Sequence, residues 1–118
     1  MIYFACACSV IFCDVFHTPV MSFFTHDSVA VGEDGASHQP IEQIGQLRSI
    51  IGNYVYRPCD YKELVAGYRT CINDYVPVVF ALSRQEIPHI DGTSFEGALQ
   101  GGYLLENNSQ KPDIVLVA

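Results

Sequence analysis

Residues 24–42 read F-T-H-D-S-V-A-V-G-E-D-G-A-S-H-Q-P-I-E, and the character of the chain changes twice across them. An apolar run over residues 19–24 stops at a His-Asp pair, and a polar loop follows in which Gly32 and Gly35 bracket two carboxylates. An apolar segment with helical spacing then begins. Open α/β sheets bind ligands where a strand leads into such a loop before a helix. This stretch therefore predicts an α/β fold with a functional loop.

The rest of the chain alternates between strand-like and helix-like segments. Continuous apolar runs bounded by turn residues are typical of buried parallel strands, and apolar residues three and four positions apart are typical of helices. The predicted strands are residues 20–25, 54–56, 76–82, 103–105 and 113–118. The predicted helices are residues 3–16, residues 40–51, a segment after Asp60 and a short turn at 94–100. This alternation predicts a parallel sheet flanked by helices.

The spacing of apolar residues also predicts which helix faces are buried. Residues 3–16 are apolar almost throughout, which predicts a helix buried nearly all round. Asp60 and Glu63 form a capping-box pattern at the start of a helix. Two apolar stripes are expected to face the sheet: Ile41, Ile44, Leu47 and Ile51 on one helix, and Leu64, Val65, Tyr68, Cys71 and Ile72 on the next.

The composition argues against several classes of partner. The chain has 118 residues, enough for one small domain, and a net charge of -7 with only six lysines and arginines. That charge argues against binding to nucleic acid or to an anionic membrane. The apolar residues 1–13 are too few to span a bilayer.

The five cysteines fit no standard zinc pattern and cannot all pair within the chain. This favours reduced thiols in a cytoplasmic protein.

Polar side chains follow two of the predicted strands. A Thr-His pair ends one strand and a Ser-Arg pair ends another, and parallel strands bring such ends to the same edge of a sheet. His26, Asp34, His38 and Arg84 are therefore expected to converge on one crevice. Imidazoles move protons near neutral pH, carboxylates accept hydrogen bonds from hydroxyls, and Arg presents a planar fork to phosphate. The set suits a phosphorylated polyol, although each residue also has a structural explanation, such as a turn at Asp34 or an ion pair at Arg84.

Several motifs along the chain resemble one enzyme family. Residues 25–42 are similar to the signature of transketolases, which lies in their pyrimidine-binding domain. Further similar motifs are L-R-S, Y-R-P-C-D, A-L-S-R-Q, G-G-Y and D-I-V-L-V-A, so the resemblance covers nearly the whole chain from about Pro19. It implies a partial pyrimidine-binding domain over residues 1–110, of the kind that binds thiamine diphosphate. Residues 111–118 would be the first strand leading into a C-terminal domain.

The resemblance also implies a role for each of the four site residues. His26 would contact the bound sugar, and Asp34 would bond a substrate hydroxyl. His38 would lie beside the reacting carbons as the catalytic candidate for proton transfer and would also contact the substrate. Arg84 would hold the phosphate of the substrate.

The cofactor that the resemblance implies is thiamine diphosphate with Mg²⁺ or Ca²⁺. Tyr3 and Phe4 are the candidates for packing against its aminopyrimidine ring. The family's cofactor-activating glutamate and its Gly-Asp-Gly diphosphate motif find no match in the sequence. The metal ligands are accordingly expected in a domain outside these 118 residues.

The implied activity is transfer of a two-carbon ketol unit from a ketose phosphate to an aldose phosphate, within the pentose phosphate pathway. The parent enzyme is expected to be a cytoplasmic homodimer, and the chain by itself an inactive fragment. Two alternatives stay open. One is a ketol transferase similar to dihydroxyacetone synthase, and the other is a non-catalytic truncated remnant or partner-binding domain.

Overall fold

The computed structural model describes residues 9–13, 15–32, 35, 38–106 and 112–117. Strands and helices alternate along these residues, as the sequence predicts. The strands are β1 (Met21–Phe24), β2 (Tyr54–Tyr56) and β3 (Val78–Ala81). The helices are α1 (Gln43–Arg48), α2 (Tyr61–Asp74) and α3 (Phe95–Leu99).

The three strands form a parallel sheet in the order β1-β3-β2, which confirms the predicted fold class. Every residue of the central strand β3 is buried. Val79 packs in one apolar cluster with Leu47, and Val78 and Phe80 pack in a second cluster with Cys71. Because successive side chains of a strand point to opposite faces, β3 anchors a core on each side of the sheet.

Helix α2 begins at the predicted cap. Asp60 Oδ1 accepts hydrogen bonds from the backbone N–H groups of Lys62 (3.0 Å) and Glu63 (3.4 Å). Glu63 in turn accepts a bond from the N–H of Cys59 at 2.8 Å, one residue before the cap itself. The two bonds to Asp60 satisfy backbone donors that a helix start leaves without intrahelical partners.

The buried face of α2 matches the predicted stripe only in part: Cys71 is buried and Leu64 packs against the core, as predicted, but the rest of the face is rotated. Its buried residues are Ala66, Gly67, Thr70 and Cys71, whereas Val65, Tyr68 and Ile72 are exposed. Small side chains decide the orientation, because they let the helix lie close to the sheet. A Cβ atom placed on Gly67 would overlap the ring of Phe80.

Helix α1 is shorter than predicted, and its stripe is only partly buried. Leu47 is buried, but Ile41 and Ile51 are 74% and 88% exposed. Both lie outside the helix, which begins at Gln43 and ends at Arg48, so neither continues its buried face. Pro40 is consequently not the first helical residue.

The N-terminal segment and the two last predicted strands also depart from expectation. Residues 9–13 and 15 are helical, but only Val10 is buried, while Ile11, Phe12, Val15 and Phe16 are exposed. The helix predicted to be buried all round therefore meets the core on one side only, in its described part. Residues 103–105 form no strand; Tyr103 instead lies against Gly97 of α3, and its hydroxyl donates to Glu63 Oε1 of α2 at 2.7 Å, so this segment packs on helices and not beside a strand. Residues 112–117 are exposed and carry no strand.

None of the helices in the described ranges has the length and apolar character needed to cross a bilayer.

Candidate functional site at the carboxyl edge of the sheet

The carboxyl ends of the strands lie at one edge of the sheet, and the pairing of β1 with β3 continues past both strands. Phe24 is in register with Ala81, and the N–H of Leu82 donates to Phe24 O at 2.7 Å. The N–H of Asp27 then donates to Leu82 O at 2.9 Å. The loop after β1 and the loop after β3 therefore leave the sheet side by side.

Thr25 and His26 are the first polar side chains beyond this junction, and His26 is the candidate site residue. The backbone of His26 has a φ of 71°, a left-handed conformation that is uncommon for a residue other than glycine. Its Nδ1 lies 3.0 Å from Thr25 Oγ1, and the residue is exposed. Strained backbone at a loop that leaves a sheet is frequent at functional sites. The contact with Thr25 restrains the His26 ring at Nδ1, and the side chain is otherwise open to solvent at the carboxyl edge of the sheet.

Asp27 ties the same loop to the end of β2. Its carboxylate accepts a hydrogen bond from Arg57 Nε at 2.7 Å. The Asp27 side chain is 8% exposed and the Arg57 side chain is 55% exposed. A buried carboxylate requires such a charged donor, because burial without one is costly.

Gln85 ties the loop after β3 to the loop after β1. Its side chain accepts a bond from Ser28 Oγ (2.9 Å) and donates to Ala30 O (2.6 Å). Its own carbonyl accepts a bond from Ser83 Oγ at 2.8 Å. Arg84 lies between Ser83 and Gln85 and is exposed. The structure thus holds the residues on either side of Arg84, and it anchors the second of them to the His26 loop.

The remaining predicted site residues are described only in part. His38 is exposed in the long loop after β1, and its N–H donates to Gly35 O at 3.2 Å. Asp34 and the two candidate cofactor contacts, Tyr3 and Phe4, lie outside the described residues. The roles assigned to all of these side chains stay predictions.

A buried polar cluster supports the loop after β2. Asp60 Oδ2 accepts a bond from Thr93 Oγ1 (2.7 Å) and lies 3.0 Å from His89 Nδ1. Burial by itself raises the pKa of Asp60, but the hydrogen bonds from Thr93, His89 and the backbone outweigh burial and lower the pKa to about 2. The opposite holds for Cys59, whose pKa is raised to about 11 by burial and by the nearby Glu63 and Asp60 carboxylates. Burial and the bond to Glu63 also raise the pKa of Tyr103.

A cavity of about 250 Å³ opens between the loops after β2 and β3. It is lined by residues 58–61 and by Leu82, Ser83, Gln85 and Ile87, among others. It is therefore adjacent to the turn that carries Arg84. Within the part of the chain that the structure describes, no group of three His, Cys, Asp or Glu side chains could hold a metal ion.

Sequence reasoning missed four residues that shape this edge: Asp27, Ser28, Arg57 and Gln85. All four belong to the motifs quoted above, so their positions were visible. What was not visible is their pairing, because Ser28 and Gln85 are 57 positions apart and Asp27 and Arg57 are 30 apart.

Comparison with known proteins assigns the chain to a family. The sequence model of the family described as "Transketolase, pyrimidine binding domain" matches residues 10–89. This chain belongs to the transketolases. Transketolase 1 of Saccharomyces cerevisiae is 46% identical over 101 residues, which cover 85% of this chain and 15% of the yeast protein. The chloroplastic transketolase-1 of Arabidopsis thaliana is 42% identical over 101 residues, covering 83% of this chain and 14% of the plant protein.

Solved transketolases share the fold. A mutant transketolase of Pichia stipitis, in complex with fructose-6-phosphate, superposes with a TM-score of 0.79 at 37% identity. The match covers 88% of this chain and 16% of the Pichia chain. This chain therefore spans only about one sixth of the length of the transketolases that it matches.

Proposed function

We propose that this chain forms the substrate-facing part of a thiamine diphosphate-dependent transketolase. The reaction is transfer of a two-carbon ketol unit from a ketose phosphate to an aldose phosphate. The observation that carries the proposal is the connection between the two loops at the carboxyl edge: Gln85 holds the Arg84 turn against the loop that begins at His26. A solved relative binds fructose-6-phosphate, which is a substrate of this chemical class.

Each site residue has a role that fits its chemistry. His26, exposed beyond β1, would donate a hydrogen bond to a sugar oxygen. Arg84, exposed beyond β3, would bind the phosphate through its planar fork. Asp34 would accept a bond from a sugar hydroxyl. His38 would move a proton at the reacting carbons.

When bound, thiamine diphosphate supplies the carbanion chemistry that breaks and forms the carbon–carbon bond. The described residues offer an open polar edge for the sugar but no metal-binding group. Because the family's Gly-Asp-Gly motif finds no match in this sequence, we assign the Mg²⁺ or Ca²⁺ ligands to other parts of a full-length transketolase, and Tyr3 or Phe4 of this chain to packing against the cofactor. We further propose that the full-length parent is a cytoplasmic homodimer that acts in the pentose phosphate pathway. Its pyrimidine-binding domain would end at residue 110, and residues 111–118 would lead into the C-terminal domain.

A chimera tests the activity directly. The matching 101-residue segment of the yeast enzyme is replaced by that of this chain, and ketol transfer between phosphorylated sugars is measured. Activity near that of the yeast enzyme is the expected result. A folded but inactive chimera would favour the non-catalytic remnant, for which the exposed Ile11, Phe12, Val15 and Phe16 offer a partner-binding surface. Preferred transfer to formaldehyde would favour an enzyme similar to dihydroxyacetone synthase.

Two substitutions in the chimera test the residue roles. Arg84→Ala should raise the Michaelis constant for a ketose phosphate, because a charged fork on the phosphate is lost. Arg48→Ala is the matched control, since Arg48 is an exposed arginine at the end of α1. His38→Ala should lower turnover by about 10²- to 10⁴-fold if the imidazole moves a proton. An unchanged Michaelis constant for the first variant, or an unchanged turnover for the second, would remove that role.

A further inference from the structure

The turn that carries Arg84 is closed on itself. Ser83 Oγ donates to Gln85 O at 2.8 Å, so the residues before and after Arg84 are bonded to each other. A turn closed in this way limits the backbone motion of the residue inside it. The direction in which Arg84 leaves the sheet is thereby restricted.

The same turn is fixed to the neighbouring loop by the Gln85 side chain. Its amide oxygen accepts from Ser28 Oγ (2.9 Å) and its amide nitrogen donates to Ala30 O (2.6 Å). Ser28 Oγ also accepts a bond from the N–H of Ala30 at 3.1 Å. The oxygen and the nitrogen of the Gln85 amide therefore both bond to residues 28–30, the segment that directly follows His26 and Asp27.

Gln85 makes these bonds from an exposed position, outside both apolar clusters. A surface residue that contributes nothing to the core but makes two hydrogen bonds across loops affects local geometry more than global stability. The bonds fix a separation between two loops, and each loop carries one of the residues assigned to the sugar phosphate.

We propose that Gln85 is a positioning residue that fixes Arg84 relative to the His26 loop, and that it thereby sets the preference for phosphorylated over unphosphorylated ketoses. This inference rests on the proposed function. A sugar phosphate must reach His26 with its carbon chain and Arg84 with its phosphate at the same time. An unphosphorylated ketose uses only the first contact, so it is insensitive to the position of Arg84.

Kinetics of the chimera test the specificity. Gln85→Met keeps the length of the side chain and removes both hydrogen bonds. It should raise the Michaelis constant for the ketose phosphate about five- to tenfold and leave kcat/KM for the unphosphorylated ketose within about twofold. Ser28→Ala should give a smaller change of the same kind, and Ser28→Thr, which keeps the hydroxyl, should restore the preference. Gln46→Met, at an exposed glutamine of α1, is the control.

Trypsin provides a readout that does not need activity, because it cleaves after Arg84. In the full 118-residue chain, Gln85→Met and Ser28→Ala should speed cleavage at Arg84 several-fold relative to cleavage after Arg48. Peptides of residues 80–90 with and without Gln85→Met measure the intrinsic effect of the substitution on trypsin.

The outcomes separate the two proposals. Faster cleavage at Arg84 with an inactive chimera would show that Gln85 restrains the Arg84 turn but would refute the proposed function, and with it the assigned role in sugar-phosphate preference. An active chimera whose preference for phosphorylated ketoses survives Gln85→Met would overturn the inference and leave the proposed function standing. Unchanged cleavage in both variants would also overturn the inference, whether or not the chimera is active.

Discussion

Arg57 Nε donates to Asp27 Oδ2 over 2.7 Å, although the two residues follow opposite outer strands of the sheet and β3 lies between those strands. The pair therefore crosses the end of β3. Since the Asp27 side chain is buried and directly follows His26, the pair also holds the backbone from which His26 projects.

Removal of the Arg57 side chain should destabilise the protein. We expect Arg57→Ala to lower the free energy of unfolding by about 1.5–3 kcal/mol, because a buried carboxylate loses a charged hydrogen-bond donor. Arg48→Ala, at an exposed arginine, should change it by less than about 0.5 kcal/mol. Urea unfolding of the variants gives both values. Equal losses in the two variants would show that the Arg57–Asp27 bond adds no stability.

Acid should weaken the cap of α2. The folded-state pKa of Asp60 is about 2 and the ordinary value is 3.8, so the ionised carboxylate adds stability that is complete above about pH 5 and is lost progressively as the pH falls toward 2. The shift corresponds to about 2 kcal/mol. Asp60→Asn keeps a capping side chain and should flatten this part of the stability profile, whereas Asp113→Asn, at an exposed site, should not. A profile between pH 5 and 2 that is unaltered by Asp60→Asn would contradict the expectation.

The two helical glycines Gly67 and Gly45 should respond in opposite directions to alanine. Gly67→Ala should destabilise by about 1–3 kcal/mol, because its Cβ would overlap the Phe80 ring against which α2 packs. Gly45→Ala, with no atom within 4 Å of the added Cβ, should stabilise by up to about 1 kcal/mol through helix propensity alone. Thermal melting of both variants measures the direction and size of each change in stability. A stabilising Gly67→Ala would mean that α2 can move away from the sheet at little cost.

Cys59 should react slowly with alkylating agents. Its pKa of about 11 lowers the thiolate fraction at pH 8 roughly a hundredfold, and the higher nucleophilicity of a basic thiolate offsets part of this, leaving a reaction about tenfold slower than that of an ordinary cysteine peptide. Glu63→Gln removes one of the carboxylates that raise the pKa and should speed the reaction. Peptide mapping after timed alkylation identifies the site. Labelling of Cys59 at the rate of the peptide would show that the neighbouring carboxylates do not suppress its ionisation.

Local signals in the sequence were sufficient for much of the fold. The parallel sheet followed from apolar runs that alternate with helical spacing, and β2 was predicted to the residue. The cap at Asp60 was readable because capping depends on neighbours in sequence.

Signals that depend on tertiary contacts were not readable. The rotation of α2 depends on the fit of Gly67 against Phe80, which apolar spacing does not describe. The strand predicted at 103–105 is absent, and Tyr103 packs instead on Gly97 of α3 and bonds Glu63, 40 positions earlier, which are contacts that the local apolar pattern does not describe. At the candidate site, the motif letters pointed to His26 and Arg84, but the bonds through Gln85 and Arg57 appear only when the loops are brought together.

The central position of β3 has a consequence for the order in which the domain forms. Among the described residues, β1 and β2 each pair with β3 alone, and β3 is the last of the three to be synthesised. On the ribosome, neither of these two pairings can form until residues 78–81 have left the exit tunnel. Such long-range pairing slows folding and exposes strand edges to other chains. A translational pause shortly before Val78 should thus increase the need of the nascent chain for chaperones, whereas a pause after Ala81 should not.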